Sequence, residues 1–210
     1  MSEPRKVDFR AEYQLKTRTI NLLRSSAARQ VEFTCHGMYF SGSSFEGIAA
    51  LITAEAIGFR TGHVPDNAGA AYRKKEDLID VPDYDFGKDA TNSYDRHALI
   101  HECVHAWYDV EMNDTTGLWE ESIAYIAGAL FTLYFEPRTG PGAAPTPSWV
   151  DKPVFAEAFR IALALMGKAN PIVSIPDAAS LEAAIRADDA YPNLNAHPET
   201  IYQNNGVTSH

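Results

Sequence analysis

The chain has 210 residues, 45% hydrophobic and 22% charged, enough for one globular domain with a substantial core. Its 28 acidic and 18 basic residues give a formal net charge of −10, and no basic block exceeds Arg73-Lys74-Lys75, which argues against nucleic-acid or anionic-membrane partners. No stretch supplies the roughly 18–20 uncharged apolar residues that a membrane span needs.

Residues 1–12 are polar and mixed in charge, and are expected to form a flexible arm. No apolar run follows them, so no signal peptide is expected. Two cysteines, Cys35 and Cys103, are too few for a disulfide scaffold, and Cys103 reads as a small buried thiol. A cytoplasmic location is expected on these grounds. Export without a classical signal, or injection, would leave the same pattern.

Apolar spacing at Leu15, Ile20, Leu22, Leu23 and Ala27 predicts a helix over 13–31. Val31 and Phe33 alternate with polar neighbours, and Cys35-His36-Gly37 then separates them from Met38-Tyr39-Phe40. That pattern predicts two strands joined by a tight turn. His36 is a conceivable metal or transition-state group, but a turn histidine facing water is the better reading. Ser43 or Ser44 is expected to cap a helix carrying Ile48, Leu51 and Ile52, which stops at Gly58. Short strands are expected at 70–73 and 78–81, the second ended by Pro82. An exposed edge strand at this place could pair with a substrate backbone.

The helix opened by Ser93 or Asp95 carries His-Glu-Cys-Val-His at 101–105. Positions four apart lie on one helical face, so His101 and His105 can present two imidazoles to one ion. Glu102 lies beside them and can reach a water on that ion. These are the working parts of a zinc hydrolase. The flanks, with Ala98, Leu99, Val104 and Ala106, are apolar over most of the girth. Burying two histidines and a glutamate there is costly unless those groups are satisfied, and a metal satisfies them. Asp109, one turn further, cannot close on the same ion from one straight helix and is a supporting or surface residue.

A second, very apolar helix is expected over 118–135. It brings the adjacent pair Glu120-Glu121 near its start. Neighbouring positions point about 100° apart, so one of the two can face the ion. Glu121 shares a face with Ala124, Tyr125 and Gly128, whose small members allow close approach to the histidine helix. Glu121 is therefore the expected third ligand. Glu120 could gain from the helix N-terminus, or orient a ligand histidine through its ring N–H. Residues 136–152, with four prolines, form an irregular loop. Helices follow over 153–168 and 178–188. The polar tail 189–210 is expected on the surface or disordered.

The stretch 70–128 resembles the zincin superfamily of metallopeptidases, in the gluzincin branch whose third ligand is a glutamate. There the metal helix is followed by a helix often reading Trp-x-x-Glu-Gly-x-Ala. Here Trp119 is followed by Glu120, Glu121, Ser122, Ile123 and Ala124. Aligning on Ala124 carries the metal glutamate to Glu121. The sequence departs from the pattern in Ser122, where glycine is frequent, and in the shorter gap after Trp119. The segment 70–105, with Ile79-Asp80-Val81-Pro82, is also similar to the small peptidase domains of bacterial regulatory and antirestriction proteins. The metzincin branch is a poor match, because Tyr108 stands where its glycine would be and no histidine follows before His197.

The resemblance implies a single mainly helical α+β zincin-like domain over 1–210. It has a small N-terminal sheet and a buried histidine helix packed on a glutamate-bearing helix. It implies one Zn2+ per chain held by His101, His105 and Glu121. The activity implied is hydrolysis of peptide or protein substrates, with Glu102 as general base. Tyr125, one turn past Glu121, is the expected oxyanion donor, with Tyr94, Tyr108, His36 and His197 as rivals. A non-hydrolytic or latent regulatory module on the same fold is one alternative, and a zinc amidase for a small substrate is another.

Overall fold

The computed structural model describes residues 9–64, 68–88, 92–112, 114–136 and 148–207. The expected arm at 1–12 lies outside them as far as residue 8, and so does residue range 137–147 of the Pro/Gly loop. The helix expected over 13–31 is two helices, α1 (Phe9–Leu23) and α2 (Ser26–Gln30). The break falls at Ser25, whose Oγ accepts the Ala28 N–H and caps α2. That cue was readable, but the apolar periodicity ran across it.

β1 (Glu32–Cys35) and β2 (Met38–Ser41) pair antiparallel, with Cys35 opposite Met38. The two turn residues, His36 and Gly37, both have positive φ, at 52° and 77°. A two-residue hairpin loop with both φ positive matches the right-handed twist of its strands. α3 (Gly42–Thr53) starts two to three residues earlier than expected. Ser41 stands at its N-cap without a side-chain capping bond, so neither Ser43 nor Ser44 has that role. Gly42 is needed for packing, since a Cβ there would come within 2.6 Å of Arg29 Cα.

α3 ends before Gly58, and Gly58 instead opens a strand that the sequence did not announce, β3 (Gly58–Thr61). With β4 (Ala71–Arg73) and β5 (Leu78–Val81) it makes a three-stranded sheet of order β3-β5-β4. β3 runs parallel to β5 and β4 antiparallel to it, so β4 is an outer strand. Asp80 in the middle strand is fully buried. The Arg60 and Arg73 guanidinium groups hold its carboxylate and keep its pKa below the usual range against the opposing effect of burial.

The centre of the molecule is a pair of packed helices, α4 (Ser93–Val110) and α5 (Gly117–Phe135). Asn92 caps α4 by accepting the Asp95 N–H, and Thr116 caps α5 by accepting the Trp119 N–H. Both helices are buried over most of their circumference. α6 (Pro153–Leu165) covers α5 on one side and α7 (Ile175–Ala187) packs on α6. β6 (Thr115–Thr116) precedes α5 directly. The tail expected to be surface or disordered contains α8 (Pro192–Ala196) and β7 (Ile201–Tyr202), and β7 pairs with β6. Among the described residues no helix is long and apolar enough to cross a membrane.

Close contact of α4 with α5 depends on Gly128. A Cβ at that position would lie 2.7–3.0 Å from three ring atoms of His97. His97 is buried among Phe155, Phe159 and Trp149 and has no room to retreat. Burial, with a smaller contribution from His101, pushes its pKa down to about 3, so the ring is neutral. Gly128→Ala is therefore expected to destabilise the fold by about 1–3 kcal/mol. Thermal unfolding would show a fall of roughly 2–4 °C per kcal/mol.

Candidate metal centre

His101 and His105 project from adjacent turns of α4 toward Glu121 on α5, and all three are buried. His101 Nε2 lies 3.1 Å from His105 Nε2 and 3.1 Å from Glu121 Oε2. His105 Nε2 lies 3.5 Å from Glu121 Oε1. Donors bonded at ~2.0–2.1 Å around a tetrahedral zinc stand about 3.3–3.4 Å apart. The observed separations bracket that value, and two imidazole nitrogens with one carboxylate are a donor set that zinc accepts. The triad could hold one metal ion and is consistent with a gluzincin-like site.

No protein-family model, curated protein or solved structure matches the chain. The gluzincin-like character rests on the residues of the centre itself.

The adjacent carboxylates do different things. Glu121 faces the two Nε2 atoms. Glu120, with no solvent exposure, turns to the other side of His105, where its Oε1 lies 2.6 Å from Nδ1. Lys74 Nζ donates to both Glu120 oxygens, at 3.1 and 3.2 Å. Glu120 thus orients the ring and sets its tautomer. Burial opposes charge on His105, but the Glu121 and Glu120 carboxylates outweigh it and raise its pKa well above the ordinary value. Burial likewise opposes ionisation of Glu121, and the His105 and His101 rings overcome it and hold the carboxyl below its usual range. A metal ion at the triad would need both histidine Nε2 atoms unprotonated, so its binding would compete with protons.

Glu102 lies beside the triad, where its Oε2 accepts the backbone N–H of Tyr72 at 2.7 Å. That bond ties the α4 carboxylate to the edge strand β4. The Tyr72 hydroxyl hydrogen is shared between Asp109 Oδ2 at 3.0 Å and Asp77 Oδ1 at 3.2 Å. Asp109 is therefore a fully buried acceptor and not a surface residue. The triad and Glu102 open into a cavity of about 610 Å³, walled by Tyr72, Tyr94, His97, Tyr125, Phe155 and Tyr191 among others.

Tyr125 reaches the site, with its ring 4.6 Å from that of His101. Its hydroxyl meets the Tyr191 hydroxyl at 2.9 Å, and Tyr191 donates to Glu121 Oε2 at 2.9 Å. Burial first, and then the Glu121 charge, raise both phenol pKa values well above the ordinary one, so both stay protonated donors. Tyr94 lines the cavity, whereas Tyr108 is buried outside its wall. His36 is elsewhere, stacked on Trp119 and 3.2 Å from Glu182. His197 is exposed beside Glu199 and does not reach the triad. Cys103 is a buried thiol whose pKa burial pushes far up.

Sequence reasoning missed Lys74, Tyr191 and Tyr202. Tyr191 and Tyr202 follow α7, in the polar tail, with no local periodicity to mark them.

Proposed function

We propose that this chain is a zinc-dependent peptidase, with one Zn2+ held by His101, His105 and Glu121. The observation that carries the reading is the preformed, buried His-His-Glu triad with a non-ligand glutamate beside it, opening into a cavity bordered by an edge strand. Zinc bound there supplies Lewis-acid chemistry, polarising a carbonyl and acidifying a water.

The chain's own groups divide the remaining work. Glu102 takes a proton on its carboxylate from the attacking water and delivers it to the departing amine nitrogen. The Tyr72 N–H restricts that carboxylate to one orientation, which reduces the reorganisation required at each turnover. The outer strand β4 offers a line along which an extended substrate backbone can add, and Glu102 already occupies the Tyr72 N–H of that strand. Tyr125, held beside the triad by its hydrogen bond to the Tyr191 oxygen, turns its phenol hydrogen from that oxygen to the oxyanion as the latter develops. Glu120 and Lys74 hold His105 in place.

Gently purified protein is expected to carry about one zinc per chain by metal analysis. Free zinc at about 100 times its dissociation constant should stabilise the fold by ~2.7 kcal/mol, read as a rise in Tm. A mixed peptide library should be cleaved, with chelation abolishing cleavage and zinc restoring it. Protein with no tightly bound ion and no zinc-dependent Tm shift would defeat the proposal.

A further inference from the structure

The C-terminal segment crosses the metal centre and is held there at several independent points. β7 pairs with β6, and the Gly117 N–H donates to Thr200 O at 2.8 Å. The Asn204 N–H donates to Asp114 Oδ1 at 3.0 Å, and the Asn205 N–H to Asp109 Oδ1 at 2.7 Å. Lys74 Nζ, already on Glu120, donates to Asn204 Oδ1 at 2.6 Å. The strand is therefore tied to the end of α4, to the start of α5 and to the ligand-orienting pair.

This docking delivers one side chain to a ligand. The Tyr202 hydroxyl donates to Glu121 Oε1 at 3.3 Å. Its ring has little freedom. A Cβ on Gly117 would lie 2.6 Å from Tyr202 Cε1, so the ring occupies space that only glycine leaves open. Lys74 Nζ caps the ring at 4.8 Å from the centroid. Burial and then the Glu121 charge push the phenol pKa up, so it remains a donor.

The two oxygens of Glu121 thus have separate phenol donors, Tyr191 on Oε2 and Tyr202 on Oε1. An unrestrained glutamate rotates about its terminal torsion, which is broad. Fixing both oxygens selects one carboxylate plane. Partners behind a ligand typically change metal affinity by about 10–100-fold.

We propose that Tyr202, carried in by the C-terminal strand, is a positioning residue for the metal centre, fixing the Glu121 carboxylate in its ligating orientation. This rests on the zinc-peptidase reading. It makes the tail a working part of the site and links tail docking to metal binding. Because linkage is reciprocal, whatever loosens the strand weakens the metal, and the metal in turn secures the strand.

The test compares wild type, Tyr202→Phe and Tyr202→Ala, each as full-length chain. Zinc dissociation constants are measured by competition with a chromophoric chelator, and the visible spectrum is recorded after cobalt substitution. Phenylalanine keeps the ring on Gly117 and beneath Lys74 and removes only the hydroxyl. Both variants are expected to bind zinc about 10-fold more weakly than wild type, with an altered cobalt band. The metal-free Tm of Tyr202→Phe should fall only slightly, by the loss of one long hydrogen bond to Glu121, and less than that of Tyr202→Ala. Wild-type zinc affinity and an unchanged cobalt spectrum in Tyr202→Phe would overturn the proposal, because ring packing alone would then account for Tyr202. Should Tyr202→Ala fail to fold, the phenylalanine variant still decides. A wild type that binds no zinc defeats the peptidase reading and this inference together, whereas a silent Tyr202→Phe in a zinc-binding protein defeats only the inference.

Discussion

Glu121→Ala is expected to lower zinc affinity by more than about 100-fold, beyond the range usual for groups that merely support a ligand. The substitution removes one of three donors and leaves two histidines on one helix, with Tyr191 and Tyr202 facing an empty position. Glu120→Ala should cost less, about 10–100-fold, because it deletes the acceptor on His105 Nδ1 and leaves the ion's neighbours in place. It should also destabilise the metal-free protein, since Lys74 loses a fully buried carboxylate partner. Chelator competition on both variants, with thermal unfolding of their metal-free forms, reads the two effects separately. The reverse order of affinities would transfer the ligand role to Glu120.

That ordering follows from helix geometry visible in the residues alone. Glu121, Ala124, Tyr125 and Gly128 share a face, and the structure turns that face toward α4, with Gly128 against His97. The orienting role of Glu120 was similarly accessible as an alternative. Local signals carried much of the rest. The tight turn read at Cys35-His36-Gly37 is the His36-Gly37 hairpin loop, and the Leu78–Val81 strand stands where it was expected, ended by Pro82. The histidine and glutamate helices were legible because their apolar runs are long and free of breakers.

The missed features depend on contacts distant in the chain. β3 holds one buried apolar residue, Phe59, and exists because it pairs with β5 about twenty positions later. The α1–α2 break depends on one serine hydroxyl inside a continuous apolar pattern. Tyr191 and Tyr202 lie 70 and 81 positions from Glu121, in a polar segment with no strong propensity. The placement of Tyr202 follows from β7 pairing with β6 and from the space left by Gly117. Composition marked this tail as surface or disordered, because polar composition reports how little apolar surface a segment can bury. It carries no information on backbone pairing with residues that are already ordered.

Glu102→Gln is expected to lower kcat by on the order of 10²–10⁴-fold while zinc content and Tm stay at wild-type levels. In barrier terms that is about 2.7–5.4 kcal/mol. Glutamine is nearly isosteric, and its amide oxygen can still accept the Tyr72 N–H that holds the side chain against β4. Packing around the 8%-exposed side chain is therefore preserved, and His101, His105 and Glu121 keep their positions. What the amide lacks is basicity. It cannot take a proton from the attacking water, nor hand one to the leaving amine. Peptide turnover by wild type and variant, each assayed with its zinc content measured in the same preparation, separates the possibilities. Loss of zinc in the variant would make Glu102 a ligand. Undiminished turnover with full zinc would remove it from proton transfer, and the base would have to be sought among the other groups that line the cavity.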